Sequence, residues 1–287
     1  NSGSFGVYAT EYGNKIVQDA DLLIILGCRM NATLTGSYPK LFSTKSKKIH
    51  VDIDLNEQKN ENKIKIDLSI HTSIKQFLKG LDNKRLQTKK RQNWIQKIVL
   101  LKSKYPVVKK KYNKELKYVN PYIFFDKLSD FIKTKDIVIP DASANLVWTY
   151  QAFNFRENLK VFTSLNHSPM GYSVAAAVGA SFATQSKNKV FAIIGDGSMQ
   201  MNIQEIQNIK HFNLPIKIII INNNGYGMVK QTIDTWLNKN YVGCDKKSDL
   251  SLPDYDKVFK SHSIKTFKIQ NNISISKVLK NFVDYEG

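Results

Sequence analysis

Apolar residues along this chain fall into short continuous runs, separated by stretches where they recur every three or four positions. Leu22-Leu23-Ile24-Ile25-Leu26 is such a run and ends at Gly27. A second covers Ile49 to Ile53, and a shorter strand is expected near Ile66. Helices are expected from Thr10 to Gln18 and from Thr72 to Leu81, the latter because Ile74, Phe77, Leu78 and Leu81 share one helical face. The same alternation resumes after residue 119. A helix begins near Pro121, a residue suited to a first turn. Strands follow at Asp136 to Ile139, near Val161-Phe162, at Val190 to Ile194 and at Ile216 to Ile221. Between them lie a small-residue helix, Gly171 to Ala183, and a helix from Ile203 to His211. Continuous apolar strands alternating with helices predict parallel sheets covered on both faces. The expected fold class is α/β, with two parallel-sheet three-layer domains joined by a basic helical linker. The boundaries are 1–81, 82–118 and 119–287.

Composition changes this picture little. The chain has 287 residues, 42% hydrophobic and 23% charged, which suits a globular protein with two cores. No apolar run is long enough to span a bilayer, and no basic segment followed by an apolar one marks a signal peptide. Cys28 and Cys244 fit no metal spacing, so reduced thiols in a cytoplasm are expected. The net charge of +19 raises a nucleic-acid reading. Residues 82–118, however, hold thirteen Lys or Arg against Asp82 and Glu115, so more than half the excess sits in the linker. That segment lacks the aromatic interleaving of a base-stacking platform. A solvated face is the expectation, with neither a nucleic-acid nor a membrane partner. Trp94, Ile98, Leu101 and Tyr105 form one stripe that can dock on a neighbouring domain, and Pro106 should stop the helix.

Two polar clusters carry the chemistry. Gly195-Asp196-Gly197-Ser198 follows one apolar strand and Asn222-Asn223 follows the next, with Asp196 and Asn223 27 residues apart. That interval fits one helix and one returning strand, which would set both side chains at the same end of neighbouring strands, where open parallel sheets bind ligands. Asp196 offers a carboxylate and Asn223 an amide oxygen, hard donors suited to Mg²⁺. Gly197 and Ser198, placed before a helix, can turn their N–H groups and a hydroxyl toward a diphosphate. Asn224-Gly225-Tyr226-Gly227 supplies a second set of N–H donors. Each cluster alone reads as a turn. Their joint occurrence at this spacing carries the assignment.

These motifs match the thiamine-diphosphate signature. Met199-Gln200-Met201-Asn202-Ile203-Gln204-Glu205, Leu214-Pro215-Ile216-Lys217 and Gly225-Tyr226-Gly227-Met228-Val229 resemble acetolactate synthase and its relatives. The likeness covers nearly the whole chain and is densest from Ser168 to Gln231. It implies that 1–81 is part of a Rossmann-like middle domain and 119–287 the thiamine-diphosphate-binding domain. It implies Mg²⁺ bound by Asp196, Asn223 and the Gly225 carbonyl, and a diphosphate held by Gly197, Ser198, Gly225, Tyr226, Gly227 and Met228. Ser168-Pro169-Met170-Gly171 would face the aminopyrimidine through the Ser168 carbonyl and the Met170 N–H. The Met170 side chain would wedge the cofactor into its bent form. Asp141 to Trp148 resembles a diphosphate-proximal loop in which relatives carry Gln-His. Here Ala144-Asn145 stands instead, so only Asn145 can donate. His167 adjoins the pyrimidine segment, and His211 reads as a helix-end residue. Gly27-Cys28-Arg29-Met30 keeps an arginine of the family's FAD segment but lacks its acidic pair, so FAD is allowed and not expected.

The resemblance also implies that the family's pyrimidine-binding domain, with the glutamate that starts the chemistry, lies outside these residues. No catalytic residue of this chain is therefore named beyond Met170 as a wedge. The expected protein is about twice as long, a homodimer or homotetramer acting on a small 2-oxo acid by carboligation. Residues 231–256, including Tyr241-Val242-Gly243-Cys244-Asp245 and Ser251-Leu252-Pro253-Asp254, depart from the usual branched-chain enzyme text. A decarboxylase or lyase of a specialised sugar or cell-surface pathway is the alternative. A cofactor-binding piece without activity of its own is another.

Overall fold

The computed structural model describes residues 3–58, 64–82, 91–115, 117–165 and 167–286. Part of the basic linker, including Lys84, Arg85, Lys89 and Lys90, lies outside the described residues. The chain divides into two compact units, Asn1–Val107 and Val108–Gly287.

In the first unit, α1 (Glu11–Asp19) starts where the Thr10 hydroxyl accepts the Gly13 N–H. It leads into β1 (Leu22–Leu26), the single turn α2 (Ala32–Thr35), β2 (Lys47–Asp52), the single turn α3 (Leu55–Gln58), β3 (Leu68–His71), α4 (Ile74–Asp82) and α5 (Gln92–Lys104). The sheet is parallel in the order β1-β2-β3, with Ile24 opposite Ile49 and Ile49 opposite Leu68. Ile25, Met30, Phe42 and Ile64 form its core. Two strands differ from their predicted limits. β2 starts at Lys47 because polar Lys48 can be buried there, its ammonium donating to the Ser43 and Ser46 carbonyls at 2.7 and 3.1 Å. The third strand, predicted near Ile66, begins only at Leu68, after Asp67 has accepted the Lys48 N–H. The stripe Trp94, Ile98, Leu101 and Tyr105 is the half-buried face of α5, which packs on α1. Lys97 pairs with Asp19 and the Lys15 ammonium lies over the Tyr105 ring.

The second unit opens with α6 (Pro121–Phe131), capped by the Asn120 side chain, which accepts from the Tyr122 and Ile123 N–H groups. There follow β4 (Ile137–Pro140), α7 (Ala144–Ala152), β5 (Lys160–Val161), α8 (Tyr172–Ala183), β6 (Val190–Gly195), the single turn α9 (Asp196–Met199), α10 (Glu205–His211), β7 (Ile216–Ile221), α11 (Gly227–Trp236), α12 (Tyr255–Ser261) and α13 (Ile275–Asp284). The sheet is parallel in the order β5-β4-β6-β7. Val190 to Ile194 of the central strand β6 are all fully buried. Small residues let α8 press its Val174 and Ala177 into the same core as Ile139, Ile194, Met199 and Ile206. The two motifs follow directly on the ends of strands β6 and β7.

Candidate functional site

β6 and β7 are neighbours in register, Gly195 opposite Ile221, so the two motifs emerge side by side at the carboxyl ends of their strands. Asp196 is 2% exposed. Its Oδ1 accepts the Gly197 N–H at 2.8 Å, and its Oδ2 accepts the N–H groups of Asn223 and Gly225, each at 3.1 Å. Burial pushes this carboxyl above its ordinary value, and the converging N–H bonds pull it back. The metal-binding candidates Asp196, Asn223 and Gly225 are thus held together by direct hydrogen bonds. Gly197 and Ser198 do not precede a helix as the sequence suggests; they sit within the single turn α9. Gly197 is required there, because a Cβ would lie 2.1 Å from the Tyr226 ring. Gly227 in turn faces the Asn223 amide, whose nitrogen a Cβ would meet at 2.8 Å.

A second carboxylate, Asp141, follows β4 and is completely buried. It accepts the Gly171 N–H at 3.2 Å and the Ser173 N–H at 3.0 Å. The Ser198 side chain also donates to it. Burial raises this carboxyl, and those donors lower it. Asp141 therefore ties the Ser168–Gly171 turn to the Gly195–Ser198 motif. The Ser198 hydroxyl proton is spent on it, so a phosphate would meet the Ser198 backbone N–H. Asn202 adds a second tie, its amide donating to the Gly171 carbonyl at 2.9 Å. Beneath the motif, the buried Tyr255 hydroxyl donates to the Asp196 carbonyl. Burial drives that phenol up to about 12.

Of the remaining predicted residues, Asn145 is buried, with its side-chain nitrogen 3.5 Å from the Ala142 carbonyl and against Gly195. Ser168 takes a left-handed backbone (φ 45°) and Met170 is half-buried at the start of the turn that Asp141 anchors. Met228 is exposed in the first turn of α11. His167 is exposed, and among the described residues no hydrogen bond or ion pair joins it to the carboxylates. His211 closes α10 with its ring edge-on to Phe212. Sequence reasoning placed Asp141 at the start of a diphosphate-proximal loop without a role of its own, and passed over Tyr255. An acidic residue directly after the wholly apolar Ile137–Pro140 was the available signal for the first. Nothing local marks the second, which acts across 59 residues.

Among the described residues no three His, Cys, Asp or Glu side chains converge. What the site gathers is instead one buried carboxylate with the Asn223–Gly225 turn bound to it. Residues 141–287 match the thiamine pyrophosphate enzyme C-terminal TPP binding domain, and residues 1–81 match the thiamine pyrophosphate enzyme central domain. The chain belongs to the thiamine pyrophosphate enzyme family. Within the family it is similar to chloroplastic acetolactate synthase 1 of Zea mays, 29% identical over 98% of this chain and 44% of the relative. The acetolactate synthase large subunit of Cyanidium caldarium is 29% identical over 99% of this chain and 48% of its own length. That of Porphyra purpurea is 28% identical over 99% and 47%. The chain thus spans about half the length of the curated relatives it matches. Among the described residues no helix is long and apolar enough to cross a membrane.

Proposed function

We propose that this chain anchors thiamine diphosphate and Mg²⁺ in an enzyme that acts on a 2-oxo acid, with acetolactate synthase-like carboligation as its leading form. One observation carries the reading: the buried Asp196 carboxylate, gripped by the N–H groups of Gly197, Asn223 and Gly225. In this proposal Asp196, the Asn223 side chain and the Gly225 carbonyl hold the metal. The N–H groups of Gly197 and Ser198, with the turn from Gly225 to Met228, hold the diphosphate. Asn145 lines the same wall. Ser168 and Met170 face the aminopyrimidine, and the Met170 side chain sets its bend. When bound, the cofactor supplies the nucleophilic carbon and the electron sink that decarboxylation of a 2-oxo acid needs. The residues of this chain bind, orient and shield it; the proton step at the aminopyrimidine is assigned to a glutamate outside these residues. Assembly as a homodimer or homotetramer belongs to the proposal, and FAD does not.

Residues 231–256 favour a second form of the reading, a decarboxylase or lyase with a specialised substrate, because their text departs from that of branched-chain enzymes. Calorimetry of the full-length protein with thiamine diphosphate and Mg²⁺ tests both the cofactor and the metal set. Asp196→Asn is expected to weaken Mg²⁺-dependent binding on the order of 100-fold while keeping the side-chain shape. Absence of binding by the parent protein sinks the cofactor reading, and equal binding by the variant sinks the metal assignment.

A further inference from the structure

The turn that carries Asn223 and Gly225 is held by two sets of bonds. One comes from the Asp196 carboxylate, the other from a strap of residues 243–250. The strap lies in the stretch whose text departs from that of branched-chain enzymes. Gly225 and Asp245 face each other in a single antiparallel bridge, and the Cys244 carbonyl accepts the Tyr226 N–H at 2.8 Å. The Tyr226 N–H is thereby spent on the strap, as the Gly225 N–H is on Asp196. The approach is so close that a Cβ on Gly225 would collide with the Cys244 carbonyl oxygen.

Asp245 both folds the strap and fastens it. Its Oδ1 accepts the Lys247 and Ser248 N–H groups at 3.0 and 3.2 Å and the Ser248 hydroxyl at 3.0 Å. Its Oδ2 accepts the Lys230 ammonium at 2.6 Å. Lys230 belongs to α11, which begins at Gly227 where the turn ends. One side chain thus closes the strap on itself and stitches it to the helix that follows the turn. We propose that Asp245 is a positioning residue for the metal: through the backbone of Gly225 it fixes the carbonyl that the cofactor reading gives to Mg²⁺. The inference rests on that reading and extends it to a residue outside both motifs. Groups that orient a metal ligand change affinity by about ten- to a hundredfold when they are removed.

Calorimetry of thiamine diphosphate binding to the full-length protein, with Mg²⁺ or with Ca²⁺, separates positioning from other effects. Mg²⁺ demands near-ideal octahedral geometry, whereas Ca²⁺ accepts irregular shells. Asp245→Ala is expected to weaken Mg²⁺-supported binding about tenfold and Ca²⁺-supported binding no more than about twofold. Amide exchange at Tyr226 should quicken with it in the ligand-free protein. Lys230→Gln tests the sign. Removing a cation near the metal strengthens binding by charge alone, whereas loosening the strap weakens it. Weaker Mg²⁺-supported binding by Lys230→Gln is the expected result, and it decides the matter even where Asp245→Ala fails to fold. Tighter or unchanged binding by Lys230→Gln overturns the proposal, as do equal losses with both metals in Asp245→Ala. Absence of binding by the parent protein with either metal overturns the cofactor reading itself, so the two failures are distinct.

Discussion

At the scale of single residues, the second unit carries a buried cation whose charge is costly. Lys217 on β7 is 5% exposed, with its ammonium donating to the Tyr285 carbonyl and lying over the Phe282 and Tyr285 rings. Burial, helped by the like charge of Lys189, lowers it from 10.5 to about 8, with Glu286 opposing. The unfolded chain therefore binds more protons than the folded one between pH 8 and 10.5, and stability rises with pH across that window. Lys217→Met is expected to flatten this rise, read as the urea midpoint below pH 8 and near pH 10.5. Gly197 is the opposite case, a residue defined by what cannot be added. Gly197→Ala must push the Tyr226 ring aside, because its Cβ would lie 2.1 Å from that ring. Its signature is weakened thiamine diphosphate binding by calorimetry with the unit still folded by circular dichroism.

At the scale of elements, the loop after Tyr241 and the central strands make different demands. Contact with Lys230 and Ser248 holds Asp245 well below its ordinary carboxylate value, down to about 2. Its contribution is complete above the ordinary value of 3.8 and is lost as pH falls from there toward 2. Amide exchange at Gly243 and Tyr226, which donate to Ser248 and Cys244, is expected to quicken in that acid window. The packed helices respond to volume instead. Ile206 of α10 is fully buried, and Ile206→Ala should cost about 2–5 kcal/mol in denaturant unfolding. Strands such as Leu22–Leu26 and Ile216–Ile221 were legible to the residue, since a continuous apolar run of that length has few other uses. The Asp196–Asn223 pairing was legible because one crossover joins them. Polar strand starts such as Lys47-Lys48 were not, since Lys47 stays exposed and Lys48 is buried only because the Ser43 and Ser46 carbonyls of the preceding turn fold back onto its ammonium. The role of Asp141 within its loop, and Tyr255 altogether, escaped because their partners lie 30 and 59 residues away, beyond any local pattern.

At the scale of the whole molecule, the two compact units have separate cores and are expected to melt separately. Phe42→Ala, which opens the core of the first, should lower one calorimetric transition and leave the other in place. The site draws on segments from Asp141 to Tyr255 and joins them through the ties of Asp141, Asp196 and Tyr255. These ties link the ends of β4, β6 and β7 to segments 27 to 59 residues away, and contacts so far apart in sequence form slowly. Each of these ties joins protein to protein, so the entropy of aligning the walls is part of the cost of folding. A ligand that seats there stabilises the entire second unit by mass action, so its occupancy can be read as a rise in melting temperature.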